Sequence, residues 1–330
     1  MRHAAAAGAE DSEAAAVSLL PVEPAYRLAE RGEEHRWLVT GLWSEQAVGI
    51  VGGEPKCCKS FLALDLAVSV ASATPCLRRF VVPKAGRVLL YAAEDALHIV
   101  RRRLDGIAAA AGVTLADLDI QVITSAVLRL DLDADRRNLA ETVDRLRPRL
   151  LILDPFVRLH RIDENASGEV APLLAYLREL QRRYGVAVLV VHHAKKSAGS
   201  VRAGQALRGS SEFHAWGDSN LYLRRDDEDI TLTVEHRAAA SPRPLIIELA
   251  QQGLALALTT VERAKPAAAA IPSLDERIAI ALTEGQAPLP FADLRAKCRV
   301  RAATLHERIS QLAAAGRIVK TAAGYSLVER

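Results

Sequence analysis

From Trp37 onward the chain alternates short, continuous apolar runs with longer segments of helical spacing. Val48-Gly49-Ile50-Val51, Arg87-Val88-Leu89-Leu90-Tyr91, Ile120-Gln121-Val122-Ile123, Leu150-Leu151-Ile152-Leu153 and Val186–Val191 predict strands. The valine-rich last run has the composition of a central parallel strand, buried on both faces. Between these runs, Phe61–Val68, Ala96–Ala111, Arg136–Leu146 and the face made by Leu173, Leu174, Leu177 and Leu180 predict helices. Such alternation predicts an α/β fold of three layers around a mostly parallel sheet. Past Leu221 the pattern changes. Ile230–Val234, Leu245–Leu249 and Leu254–Leu258 are short strand patterns separated by turns, expected to extend the sheet in antiparallel fashion.

Residues 1–35 are Ala-rich with scattered charges and no sustained period, which predicts an arm that is disordered or loosely attached to a main domain at 36–262. An Ala/Pro-rich linker is expected at 263–272 and a separate unit at 273–330. In that unit Leu274–Leu282, Phe291–Lys297 and Arg301–Ala315 have helical patterns, the third with Leu305, Ile309 and Leu312 on one face and Gly316 as its stop. Arg317–Lys320 and Tyr325–Val328 then form a hairpin around Gly324. Three helices and a hairpin resemble a winged helix-turn-helix. Arg301, Thr304 and Arg308 lie off the apolar face of the third helix, where a recognition helix meets duplex DNA. A protein-docking unit with a solvated basic face fits the same pattern.

Half the residues are hydrophobic and 25% are charged, an ordinary globular composition. No stretch is long and apolar enough to span a bilayer, and Glu10, Asp11 and Glu13 do not fit a secretory leader, so the cytoplasm is the expected compartment. Four cysteines, two of them adjacent, do not make a disulfide framework. With aromatics at 4%, any nucleic-acid binding would rest on charge more than on stacking. The net charge is +3. From Ser273 onward there are nine Lys/Arg against six Asp/Glu, and the remaining 34 of each sign cancel, so the excess sits in the C-terminal segment.

The candidate chemistry begins at Gly53-Glu54-Pro55-Lys56-Cys57-Cys58-Lys59-Ser60, followed by Phe61. The pattern G-x-x-x-x-G-K-[ST] makes a loop whose backbone N–H groups cradle nucleotide phosphates, and here it lies between a predicted strand and a predicted helix, as it must. Lys59 is then expected to reach the outer phosphates, and Ser60 to offer its hydroxyl to Mg²⁺. Cys58 replaces the second glycine, which normally keeps a side chain away from the phosphate. Cys57-Cys58 also admits a redox reading, in which oxidation of a thiol blocks the loop, beside the plainer one of tolerated drift. Asp154, at the end of its strand, is a candidate to hold Mg²⁺ through water. Glu94 and Asp95 follow another strand; either activation of water or capping of the next helix accounts for them. His192 and His193 end the Val186–Val191 strand, where a histidine can sense an outer phosphate. From Ala194 to Ser211 the chain carries Lys195, Lys196, Arg202 and Arg208 with no acid, as a polyanion-binding or a plain surface loop would.

Taken together, these motifs from about Trp37 to Leu258 resemble the RecA-like ATPases, most closely the RepA-type hexameric helicase branch with its relatives on mobile elements. The resemblance is carried by Trp37–Leu42, the phosphate loop, Glu94-Asp95, Leu150–Phe156, His192–Lys196 and Arg208-Gly209-Ser210-Ser211. It implies ATP and Mg²⁺ held by Lys59, Ser60 and Asp154, and Glu94 as the residue that activates water. His193 or His192 would couple the outer phosphate to a loop over 194–208, and Arg208 would act as an arginine finger on a neighbour's nucleotide. It further implies a homo-oligomeric ring, with a hexamer favoured, whose loops at 157–169 and 194–208 hold single-stranded DNA. A nucleotide-gated DNA-binding regulator with weak hydrolysis, and a recombinase-like filament former, are the competing readings.

Overall fold

The structure is a computed structural model that describes residues 22–28, 32, 36–193, 212–226, 229–261, 273–284, 288–298 and 300–328. The chain divides into two compact units, Met1–Val261 and Glu262–Arg330.

The first unit opens with a small hairpin, β1 (Trp37–Val39) and β2 (Trp43–Ser44). Then follow β3 (Val48–Gly53), α1 (Lys59–Ser72), β4 (Val88–Ala92), α2 (Leu97–Ala110), β5 (Ile120–Val122), α3 (Asp133–Leu146), β6 (Leu150–Asp154), α4 (Ser167–Tyr184) and β7 (Ala187–His193). A short α5 (Glu212–Trp216) leads into β8 (Ser219–Asp226), β9 (Asp229–His236), β10 (Leu245–Gln252) and β11 (Ala255–Val261). Among the described residues nine strands form one sheet in the order β11-β10-β9-β8-β3-β7-β6-β4-β5. From β8 to β5 neighbouring strands are parallel; β9, β10 and β11 add on antiparallel.

Burial on both faces explains the unbroken apolar runs. Along β6, Leu150 and Ile152 pack with α1 and α2, while Leu151 and Leu153 face the opposite core with α3 and α4. β7 alternates likewise, with Leu189 and Val191 to one side and Val188 and Val190 to the other. The three-layer expectation holds. The sequence pattern did not single out β8, which lies parallel to β3 with Gly53 opposite Leu223. Its apolar stretch is only Leu221-Tyr222-Leu223, preceded by Ser219-Asn220 and followed by Arg224 and Arg225, both exposed, which leaves the hydrophobic run short.

The second unit holds α6 (Leu274–Glu284), α7 (Phe291–Cys298), α8 (Ala302–Ala314) and a hairpin of β12 (Ile318–Thr321) and β13 (Gly324–Leu327). Ser273 and Glu276 cap α6 reciprocally: the Glu276 amide donates to Ser273 Oγ at 3.2 Å, and the Ser273 amide to Glu276 Oε2 at 2.6 Å. Ile278, Leu294, Leu305, Ile309 and Ile318 fill a core of its own. Leu289, between the first two helices, exchanges backbone hydrogen bonds of 2.9 Å with Tyr325 in both directions and so lies as a third strand position beside the hairpin.

Candidate nucleotide site

The ends of β3, β4, β6 and β7 lie on one side of the sheet, where parallel α/β folds bind their ligands. Register brings the candidates together: Gly53 is opposite His193 across β3 and β7, and Ala92 is opposite Asp154 across β4 and β6. A cavity of about 300 Å³ opens there, lined by Lys56, Cys58, Lys59, Ser60, Phe61, Ala92, Glu94, Asp95, Arg103, Asp154 and His193. Lys59, Ser60, Glu94, Asp154 and His193, which come from four separate motifs, thus share one space.

The phosphate loop is held tightly at its start. A Cβ on Gly53 would lie 2.3 Å from the Leu223 carbonyl oxygen and 2.8 Å from Cys57 Sγ, so no side chain fits. Cys57 turns inward, fully buried, and its thiol donates to the Glu54 carbonyl at 2.7 Å. Lys59 Nζ donates to the same carbonyl at 2.7 Å, and Cys57 Sγ lies 3.8 Å away. Burial pulls the Lys59 ammonium below the ordinary lysine range, opposed by the thiol of Cys57 and the carboxylates of Asp154 and Glu94. An anion entering the cavity would restore a full counter-charge to this cation.

Cys58 ends the loop in the left-handed conformation, φ 63° and ψ 26°, as the residue before α1. That is glycine's territory, and a Cβ there costs about 1–2 kcal/mol. The loop therefore keeps a glycine-type backbone and carries the strain. Its thiol lines the cavity and is pushed up by burial, against the pull of Arg225, Lys59 and Arg103. No side chain caps the N-terminus of α1. The first-turn amides have no intrahelical acceptor and lie where an anion can take them.

Asp154 is 9% exposed, and burial raises its pKa to about 6. A hydrogen bond from Ser60 counters that rise, Asp95 and Glu94 add to it, and Lys59 counters it again. A hydroxyl bonded to a buried, charge-starved carboxylate is a hard oxygen donor set that fits Mg²⁺. Glu94 is half-exposed and accepts a hydrogen bond from Arg158 Nε at 3.0 Å. Asp95 does not cap α2, whose start is flanked by Ala96 with no side-chain cap. It pairs instead with Arg103, whose guanidinium lies 5.1 Å from the Phe61 ring centre.

The strand alternation separates the two histidines. His193 faces the cavity, whereas His192 is buried on the other face, stacked on Phe213 at 4.2 Å. Lys195, Lys196, Arg202 and Arg208 lie outside the described residues. Arg103 and Arg225 were missed in the sequence. Arg225 donates to the Lys56 carbonyl at 3.2 Å and reaches the loop because β8 pairs with β3, a contact of long sequence separation. Arg103 carried a weak signal, two helical turns past Asp95.

In the second unit, Arg301 and Thr304 are exposed at the start of α8. Arg308 also lies off the apolar face, with 42% of its side chain exposed, and is engaged within the unit. It clasps Asp275 of α6 with both forks, Nε–Oδ1 at 2.5 Å and Nη2–Oδ2 at 2.6 Å, and also donates to Gln311. The pairing holds the Asp275 carboxyl below its usual range.

A domain family described as AAA domain matches residues 13–199, more than half of the chain. Among solved structures, one described as an ATPase domain superposes with a TM-score of 0.51 at 13% identity, covering 65% of this chain and 86% of that one. A DnaB-like replicative helicase, described with its interactions with primase, gives 0.51 at 12% identity over 64% of this chain and 57% of that one. At such identities the likeness is one of fold.

Proposed function

The chain belongs to the AAA domain family and has the fold of a RecA-like P-loop ATPase; from that premise we propose that it is a DNA-dependent ATPase of the RepA-like helicase class, acting on single-stranded DNA in replication or recombination. The observation that carries this reading is the meeting of Lys59, Ser60, Glu94, Asp154 and His193 around one cavity at the strand ends.

In this reading the amides from Glu54 to Phe61 cradle the ATP phosphates, and Lys59 leaves the Glu54 carbonyl for the outer ones. Ser60 and Asp154 hold Mg²⁺, which when bound neutralises charge on the phosphate oxygens. Glu94 orients and deprotonates the attacking water, and His193 reads the outer phosphate. Arg208 serves a neighbour's nucleotide in a homo-oligomeric ring, a hexamer by preference. Lys195, Lys196 and Arg202 hold the strand. The C-terminal unit is a winged helix whose Arg301, Thr304 and Arg308 meet duplex DNA or a protein. The protein works in the cytoplasm; among the described residues no helix is long and apolar enough to cross a membrane.

One observation favours a second reading, a nucleotide-gated DNA-binding regulator: the Cys58 side chain occupies the cavity wall where glycine would leave room. ATP turnover with and without single-stranded DNA, beside Lys59→Ala, separates the two. The motor reading expects DNA-stimulated turnover that Lys59→Ala abolishes. Nucleotide binding without turnover contradicts it and favours the regulator.

A further inference from the structure

The phosphate loop holds two residues in the left-handed conformation that glycine adopts most freely: Lys56 at φ 65° and Cys58 at φ 63°. Successive amides in such a loop form a concavity for an anion only while these dihedrals are kept. Each of the two residues carries a Cβ that opposes them, so the loop needs restraint from the structure around it.

The first half of the loop is held from within. Cys57 Sγ and Lys59 Nζ both donate to the Glu54 carbonyl, each at 2.7 Å. The second half is reached from outside, by Arg225. This residue lies two positions past Leu223 on β8, and Leu223 is opposite Gly53 at the start of the loop. From there its guanidinium donates to the Lys56 carbonyl at 3.2 Å and to the thiol of Cys58. One side chain thus spans both left-handed residues. Arg225 is exposed, so burial does not account for its place. A planar fork with several fixed N–H donors suits two acceptors two residues apart better than the single ammonium of lysine.

We propose that Arg225 is a positioning residue that holds Lys56 and Cys58 in the phosphate-binding shape that glycine at position 58 would adopt unaided. This role rests on the ATPase reading above, and it accounts for how the loop keeps a glycine-type backbone around a cysteine.

The test measures binding of a fluorescent ATP analogue to the full chain for wild type, Arg225→Ala, Arg225→Lys, Cys58→Gly and the double variant Cys58→Gly with Arg225→Ala. Inorganic tripolyphosphate, which has no base or sugar, is titrated against the analogue in each. For Arg225→Ala the expected result is a Kd higher by about two- to tenfold, with competition by tripolyphosphate weakened by the same factor. Arg225→Lys recovers part of the loss. In the Cys58→Gly background the Arg225→Ala change costs less than about twofold, a non-additivity that an arginine serving only the stability of β8 would not produce. In turnover, the loss appears in the KM for ATP more than in kcat. An Arg225→Ala variant that binds like wild type overturns the proposal. An equal loss in both backgrounds overturns it too, since Arg225 would then touch the nucleotide itself rather than set the loop. So does a loss confined to the analogue, with tripolyphosphate unaffected, which would put Arg225 on the base or sugar. A wild type that binds neither anion overturns the proposal together with the functional reading. The expected losses and their rescue by Cys58→Gly, in a protein that binds ATP without turning it over, support the proposal and contradict the motor reading alone.

Discussion

The strand-end cavity of the first unit and the third helix of the second each carry a few polar and charged residues in a sequence pattern, and the two sets are placed differently. At the cavity, Lys59, Ser60, Glu94, Asp154 and His193 converge. On α8, Arg301 and Thr304 are exposed, while Arg308 is tied to Asp275 on another helix. The difference is one of constraint. A residue just past a buried parallel strand has its place set by the sheet, and every such strand delivers its end to the same side. A charge on a helix surface has its direction set by whatever stands opposite, and Asp275 is 33 residues away in sequence.

This contrast can be sharpened by substitution. The largest expected effect on stability is at Asp154. Burial raises its pKa to about 6 from the ordinary 3.8, so the folded state takes up this proton first as the pH falls. Without metal, the fold therefore gains stability as the pH drops from about 6 towards 4, and bears the cost of a buried charge above that window. Asp154→Asn should raise metal-free stability at neutral pH by up to about 3 kcal/mol and flatten this pH dependence, while Mg²⁺-dependent turnover collapses. Thermal melts across pH with chelator, paired with activity assays, measure both. A variant less stable than wild type at neutral pH would mean that Asp154 is a structural partner rather than a held-in-waiting ligand.

Next in size is Cys58. Glycine at this left-handed position should relieve about 1 kcal/mol of backbone cost, part of it offset by glycine's greater freedom when unfolded. Chemical denaturation of Cys58→Gly is expected to show a higher midpoint with an unchanged slope, together with turnover at or above wild type. Lower stability would show that the thiol's packing outweighs the backbone.

The smallest effects separate the residues of α8. Arg308→Ala should lower the melting temperature of the C-terminal unit modestly, through loss of the clasp on Asp275. Arg301→Ala should leave melting unchanged. If the unit binds duplex DNA, Arg301→Ala should also weaken binding uniformly across sequences and reduce the salt slope by about one. Equal melting of the two variants would mean that the clasp on Asp275 adds no stability.

Much of the first unit could be read in the chain because buried parallel strands are written as unbroken apolar runs. Leu150–Leu153 and Val186–Val191 fell within a residue or two of β6 and β7. β8 escaped because its apolar stretch is short, cut off by Arg224 and Arg225, and because its partner β3 lies far upstream. Arg225, Arg103 and Arg158 were invisible as site residues for the same reason: each reaches the cavity region through tertiary placement, not through a motif. The choice between His192 and His193 was open in one dimension and follows from strand alternation once β7 is placed. The local patterns of α6, α7 and α8 were legible, but the acid that would claim Arg308 was not.

In the proposed function the cavity hydrolyses ATP, which requires Glu94 to act on water rather than to hold the nucleotide. The most direct measurement is Glu94→Gln, assayed for ATP-analogue binding and for turnover with oligo-dT in the same preparation. The expected result is binding within about twofold of wild type and turnover lower by about a hundredfold or more. Turnover at the wild-type rate, with binding intact, would contradict it.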